Sequence, residues 1–330
     1  WGEAIPTGPD ATDGWDGPAL PEHMAVSSAD LAVLLADADG RIGEVDGGAR
    51  LGAALLPGPI LHLSSKPGGM APLQPVGSAE EMLDALVEPA GLTLPGTTAL
   101  HLDFDLAAEV PGSLTASEGA ERQPVLTLDP SMEGLHLLVV VGPGVVRAAA
   151  VDGLHDMSRA AGAGVLNTWG AKGVERWDSP WHFGTIGLQA RDLELGGLAE
   201  ADVVVTSGLD PDELPESLLA RSVVQDVHPR QLSVLCRNWS GGAPEPAHRP
   251  RLYNALAEAV TPLYEDSGSP LSPARASLHL SGALPERGMA VADAGEAGLW
   301  IARTFPTSIP NSVCVPATAA AGFAAAAALC

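Results

Sequence analysis

The sequence predicts an α/β protein whose middle part is a parallel sheet covered on both faces. Three observations carry that prediction. Four short apolar runs, "LHLLVVVGPG", "AGVLNT", "ADVVVTSG" and "SVVQDVHP", lie between Leu135 and Pro229 and lack polar alternation. A strand with one wet face alternates, whereas one buried on both faces stays apolar throughout. Helical stretches such as "VVRAAAVDGLHDMSRAAG" separate the runs, as parallel strands require. Each run also ends in a turn residue, Gly142, Gly208 or Asp226 among them, and open α/β sheets place ligands at such carboxyl ends.

Taken in chain order, residues 1–24 are rich in Gly, Pro and Asp and predict an irregular entry. "DLAVLLADADGRIGEV" fits a helix or a strand and turn equally well. "GPILHLSS" predicts a short strand stopped by "KPGG". In "SAEEMLDALVEPAG", Ser78 and Glu81 form a capping box ahead of an apolar face made by Met82, Leu83, Leu86 and Val87. "TTALHLDFDL" alternates and predicts a strand, and the polar stretch after it predicts a linker. Beyond the four apolar runs come a second polar linker, helices over "LYNALAEAVTPLYE" and "SPARASLHLSGALPERG", and the short strand "MAVADAG". The alanine-rich end reads as a buried helix, too short and too alanine-rich for the roughly 20 apolar residues of a membrane span.

Composition narrows the function. The chain has 330 residues, 46% of them hydrophobic, enough for two or three cores. Its net charge of −24 excludes the basic footprint that nucleic acid demands. The acidity predicts a solvated surface, with adaptation to salt as the other reading. Cys236, Cys314 and Cys330 have neither zinc spacing nor the even number of a disulfide framework, which predicts a reducing, cytoplasmic setting. No basic and apolar leader follows Trp1, so no signal peptide is expected. No GxSxG elbow supports a hydrolase triad.

The segment 166–189, "LNTWGAKGVERWDSPWHFGTIGLQ", has glycines, Trp169, Trp177 and Trp181 and almost no helical period. A loop so costly to order lies against something. The tryptophans could stack on a flat ring or anchor the loop by packing, and packing is the expected role. Lys172, one of two lysines beside Lys66, is either an anion contact or a solvated side chain. His155 and His182 lack a partner at metal spacing and are expected to be ordinary hydrogen-bonded histidines. "VGPG" allows close backbone approach, and the helix after it offers amides to an anion, with a plain strand-to-helix turn as the other reading.

In their order and spacing these pieces resemble the central domain of the thiamine diphosphate enzymes related to acetolactate synthase, pyruvate oxidase and benzoylformate decarboxylase. Thr168, Lys172 and Gly173 match the family's "T…GKG" turn, and Gly184 and Gly187 its glycine loop. Asp202 and Gly208 match the next strand, and Asp226 and Pro229 the one after. The loop 166–189 would then be the crossover between the second and third strands. The flanks resemble the end of the pyrimidine domain and, at "LSGALPERGMAVADAGEAGLWIARTF", the start of the diphosphate domain. The resemblance implies a Rossmann-like (DHS-like) central domain flanked by partial α/β thiamine-diphosphate-binding domains. The expected division is 1–110 pyrimidine-type, 111–134 linker, 135–237 central, 238–250 linker, and 251–330 a truncated diphosphate-type start.

It further implies thiamine diphosphate with Mg²⁺, FAD or ADP in the central domain, a 2-oxo acid substrate, a homo-oligomer, and carboligase or decarboxylase chemistry. The implied cofactor-binding residues are Gly142, Gly144, Thr168, Lys172, Gly184, Gly187, Gly208, Asp226, Gly295 and Glu296. Glu22, ahead of Ala29-Asp30, is the candidate for the family's catalytic glutamate. The sequence also departs from the family pattern. It contains no GDG metal motif, and Glu296 puts a carboxylate where a diphosphate would lie. Alanines replace most of the glycine-rich approach, although Gly322 is kept. These departures imply an incomplete chain or a divergent one, and they keep open a non-catalytic nucleotide-binding or scaffold protein. An NAD-dependent deacylase is set aside because "VGPGVV" lacks that group's serine.

Overall fold

In a computed structural model, the described residues are 61–64, 74–78, 81, 98–102, 127–210, 213–214, 224–240, 245–246, 248–286, 288–316 and 322–328. The chain divides into two compact units, residues 1–124 with 325–330, and Val125–Ala324. Glu22 and the apolar face over Met82–Val87 lie outside the described residues.

In the first unit, strands β1 (Leu61–Ser64), β2 (Gln74–Val76) and β3 (Thr98–Leu102) form a parallel sheet in the order β1-β3-β2. β1 and β3 are the two strands that the sequence predicts there. The capping box at Ser78 forms, shifted by one residue on its return arm. The Ser78 hydroxyl accepts from the Glu81 N–H at 3.1 Å, and the Glu81 carboxylate accepts from Gly77 N–H at 2.8 Å.

The second unit is built on a five-stranded, all-parallel sheet. Its strands are β4 (Leu137–Val141), β5 (Gly164–Asn167), β6 (His182–Thr185), β7 (Val203–Ser207) and β8 (Val224–Asp226), in the order β6-β5-β4-β7-β8. Every residue of β4 is buried. Leu137, Val139 and Val141 join one core and Leu138 and Val140 the other, which is the period-two alternation of a strand covered on both sides. Helices α1 (Gly144–Arg147), α2 (Val151–Ala161) and α4 (Leu232–Leu235) cover the first face. Leu252, at the start of α5 (Arg251–Glu265), and residues around α3 (Asp192–Leu195) cover the second.

Two local outcomes differ from the periodicity. The stretch 145–162 is two helices, because Ala149 sits at φ 50 and turns the chain between α1 and α2. Each then finds its own partner. α1 sends Arg147 to Asp210, and α2 lies so close to α4 that a Cβ on Gly153 would be 3.0 Å from Ser233 N. Left-handed Gly162 ends α2, its N–H returning to Ser158 O. The crossover 166–189 also contains a strand of its own, β6, which the sequence pattern does not reveal.

The later part of this unit holds α6 (Pro273–Ala283), capped by Ser272 on Arg275 N–H, the parallel pair β9 (Ala290–Val291) and β10 (Val313–Cys314), and α7 (Glu296–Thr304). Helix α8 (Phe323–Ala327) follows. Trp169 reaches from the crossover into this layer, packing with Ala290, Ala302 and Phe305 and donating from Nε1 to Val315 O at 3.1 Å.

Candidate functional site

A parallel sheet in this order reverses direction between β4 and β7, and the crevice beyond that switch point is where such folds bind ligands. Here it is closed by backbone. A Cβ on Gly142 would lie 2.3 Å from Gly208 O, one on Gly144 2.7 Å from Gly208 Cα, and one on Gly208 2.6 Å from Val145 N. The turn's amides are occupied as well. Gly142 N–H donates to Ser207 O, Gly144 N–H to Gly208 O, and Val145 N–H to Gly142 O. The structure thus gives Gly142, Gly144 and Gly208 a packing role, and the amides expected to face an anion are bonded within the fold. Arg147 and Asp210 seal the spot with a buried two-pronged ion pair at 2.6 and 3.1 Å.

The chemically unusual group lies one strand over, beyond β5 and β6. Lys172 is only 7% exposed, and its Nζ donates to Thr185 Oγ1 at 3.4 Å. Asn167 Nδ2 reaches the same oxygen at 3.3 Å. Asn167 Oδ1 and Thr168 Oγ1 are enclosed without a hydrogen-bond partner. Burial, with the charge of Arg303 second, pushes the Lys172 ammonium down to about 7. His182 is pushed down to about 3 by burial first, then by Lys172 and Arg249. Part of the His182 side chain reaches the surface, but Nδ1 is enclosed and has no partner. Of the two readings of Lys172, the solvated side chain is excluded.

Arg303, on α7, organises this cluster. It donates to Thr185 O at 2.7 Å and forks onto Asp192 at 2.9 and 2.7 Å. Asp192 in turn accepts the N–H groups of Leu188 and Gln189 at 2.9 Å each. Neither residue stands out in the sequence, since each looks like an ordinary charge on a helix and they are far apart in the chain.

The crossover itself is stapled to α2. Glu175, 2% exposed, takes both prongs of Arg159 at 2.7 and 3.2 Å, and Arg159 lies over the Trp181 ring at 5.0 Å. His155 Nε2 lies 2.6 Å from Val174 O, an ordinary hydrogen-bonded histidine. Trp169 and Trp181 are buried packing anchors, whereas Trp177 stays 47% exposed. Gly187, at φ 90, comes within 2.5 Å of Glu213 O at its would-be Cβ, and Gly184, at φ 124, packs against Leu252. Thr206 Oγ1 donates to the Asp226 carboxylate at 2.8 Å.

Gly295 and Glu296 lie apart from this cluster, at the turn into α7. Gly295 has φ 117, and among the described residues nothing lies within 4 Å of its would-be Cβ. Glu296 is exposed in the first turn. The Asp293 oxygens are engaged by the amides of Gly322 and Ala324 at 3.1 and 2.7 Å. Among the described residues, no group of three or more His, Cys, Asp or Glu side chains converges to hold a metal ion. Nor is any described helix long and apolar enough to cross a membrane.

Comparison with known proteins agrees with the fold. No curated protein matches the chain in sequence. In fold it is similar to the X-ray structure of a Mycobacterium smegmatis protein assigned as a thiamin diphosphate-dependent enzyme, at 15% identity and a TM-score of 0.61, over 99% of this chain and 76% of that one. Residues 135–234, the segment holding the whole five-stranded sheet, match the family described as thiamine pyrophosphate enzyme, central domain. That segment, and not the rest of the chain, carries the similarity to the thiamine pyrophosphate enzyme family.

Proposed function

We propose that the chain serves a thiamine-diphosphate-dependent carboligase or decarboxylase acting on a 2-oxo acid, with an oligomeric assembly. The observation that carries this reading is the family match over 135–234 on a sheet of the expected topology.

The donor set for the metal does not fit among the described residues. Mg²⁺ prefers an octahedral cage of oxygens. Here Asp293 is engaged by backbone amides, and Glu296 offers a single exposed carboxylate. No reaction step is therefore derived through the cofactor. What these residues supply is an enclosed polar cluster in which Arg303 is paired with Asp192 and the Lys172 ammonium is pushed down to about 7. FAD or ADP in the central domain would have to bind without the amides of Gly142 and Gly144, which are already bonded.

The misfit of the metal donors favours a second reading, a non-catalytic nucleotide-binding or scaffold member of the family. Calorimetric titration of the chain with thiamine diphosphate and Mg²⁺ separates the two. Stoichiometric, Mg²⁺-dependent binding near micromolar affinity, roughly −8 kcal/mol, supports the enzyme reading, and CO₂ release from a panel of 2-oxo acids then identifies the substrate. No heat at about millimolar cofactor supports the scaffold reading.

A further inference from the structure

The crossover encloses the Lys172 amine, a nucleophile with no part in the function proposed above. A buried lysine commonly brings a carboxylate with it, because an unpaired ammonium is costly to strip of water. Lys172 does not. Its Nζ donates to the Thr185 hydroxyl at 3.4 Å, and the neighbouring charge acting on it is that of Arg303. Burial and that cation both favour the neutral amine, with its lone pair free. Desolvation beside a second cation is one of the ways in which proteins make a lysine nucleophilic.

The surrounding groups come from several elements. His182, on β6, is neutral near pH 7, since burial holds it down to about 3. Arg303, on α7, is committed to Asp192 of α3 at 2.7 and 2.9 Å. Arg249, ahead of α5, donates to the His182 carbonyl, and Glu213 accepts the Gly170 N–H. A charged adduct on Lys172 would therefore meet no uncommitted counter-ion. Polar atoms are to hand instead. Asn167 Nδ2 shares the Thr185 hydroxyl with Lys172. Asn167 Oδ1, Thr168 Oγ1 and Arg303 Nε are enclosed without a hydrogen-bond partner among the described residues. Buried polar atoms are normally satisfied, and an uncharged adduct bearing a hydroxyl supplies both a donor and an acceptor.

We propose that Lys172 is a site of covalent imine formation with small, uncharged aldehydes. The Nζ lone pair adds to the carbonyl carbon, and one amine proton passes to the carbonyl oxygen, giving a carbinolamine. Its hydroxyl then leaves with the second amine proton as water, and a C=N bond remains. Amine and aldehyde become imine and water, with nothing oxidised or reduced. The enclosure limits the aldehyde's size. Because Arg303 is already paired, a carboxylate brought in with the carbonyl would be stranded. None of this depends on the thiamine diphosphate reading.

The test uses the full chain, folded and in guanidinium chloride, with acetaldehyde and cyanoborohydride, which reduces the imine to a stable secondary amine. Lys172 is one of two lysines, so peptide masses report its ethylation directly. At about pH 7 roughly half of an amine titrating at about 7 is free, against about one in 3,000 at the ordinary 10.5. Ethylation of Lys172 should therefore be at least about ten-fold faster in the folded chain, restricted access consuming the rest of the advantage. The advantage should shrink as pH rises toward about 10, where the unfolded lysine is also freed. Glyoxylate, an aldehyde bearing a carboxylate, should show no such advantage. Ethylation of the folded chain at or below the unfolded rate at about pH 7 overturns the proposal. An equal advantage with glyoxylate overturns the preference for uncharged aldehydes.

Discussion

The two ends of one sheet are built on opposite plans. At the carboxyl end the turns fold back on each other, glycine against glycine, and polar side chains are enclosed with Lys172 among them. At the amino end Arg249, Arg251 and His248 stand exposed around an open cavity. The strands are the same, so the difference comes from the connections. The β4, β5 and β7 exits are small or polar residues that pack closely, whereas the entry to α5 arrives along a polar segment that leaves space. A closed end should respond to mutation through stability, and an open end mainly through binding.

The sharpest way to break this contrast is Arg303→Met. It strands the buried Asp192 carboxylate and should cost about 3–5 kcal/mol, read from urea unfolding. A loss under about 1 kcal/mol would mean that water reaches the cluster. Gly142→Ala comes next. Its methyl group would meet backbone, which cannot move aside as a flexible side chain can, so a loss of about 3 kcal/mol is expected by the same assay.

Lys172→Met sharpens the comparison through pH. The Lys172 amine titrates at about 7 when folded and near 10.5 when unfolded. Between those values the unfolded chain binds the extra proton, so the native chain gains stability relative to the methionine variant as pH rises. From about pH 7 to about pH 9 that gain should be about 2 kcal/mol, and below about pH 7 it should level off. A flat difference would mean that the amine is solvated. At the open end, Arg251→Gln should change stability by less than about 0.5 kcal/mol.

The strands β4, β5 and β7 were legible because burial on both faces leaves continuous apolar runs that need no partner to be recognised, and β8 because its run ends at Asp226. β6 was not. "HFGT" has no period of its own and becomes a strand only because Val165 and Asn167 offer backbone groups beside it. The break at Ala149 was hidden for a related reason, since helical periodicity continues across it while the packing partners change. Thr168, Lys172 and the glycines of the crossover could be named as site candidates from their motif. Their environment could not be read in advance, nor could Arg303 and Asp192, whose roles depend on an ion pair between distant helices.

The sequence by itself determined that this is an α/β chain with a doubly covered parallel sheet, and that its middle resembles a thiamine diphosphate enzyme. Those are properties of local pattern, in which each residue's hydrophobicity or turn preference acts over a few neighbours. Tertiary structure alone decided that the glycine turn is closed, that Lys172 is dry, and that the amino end is hollow. Burial, desolvation and ion pairing depend on which distant surfaces meet, and no local pattern encodes that.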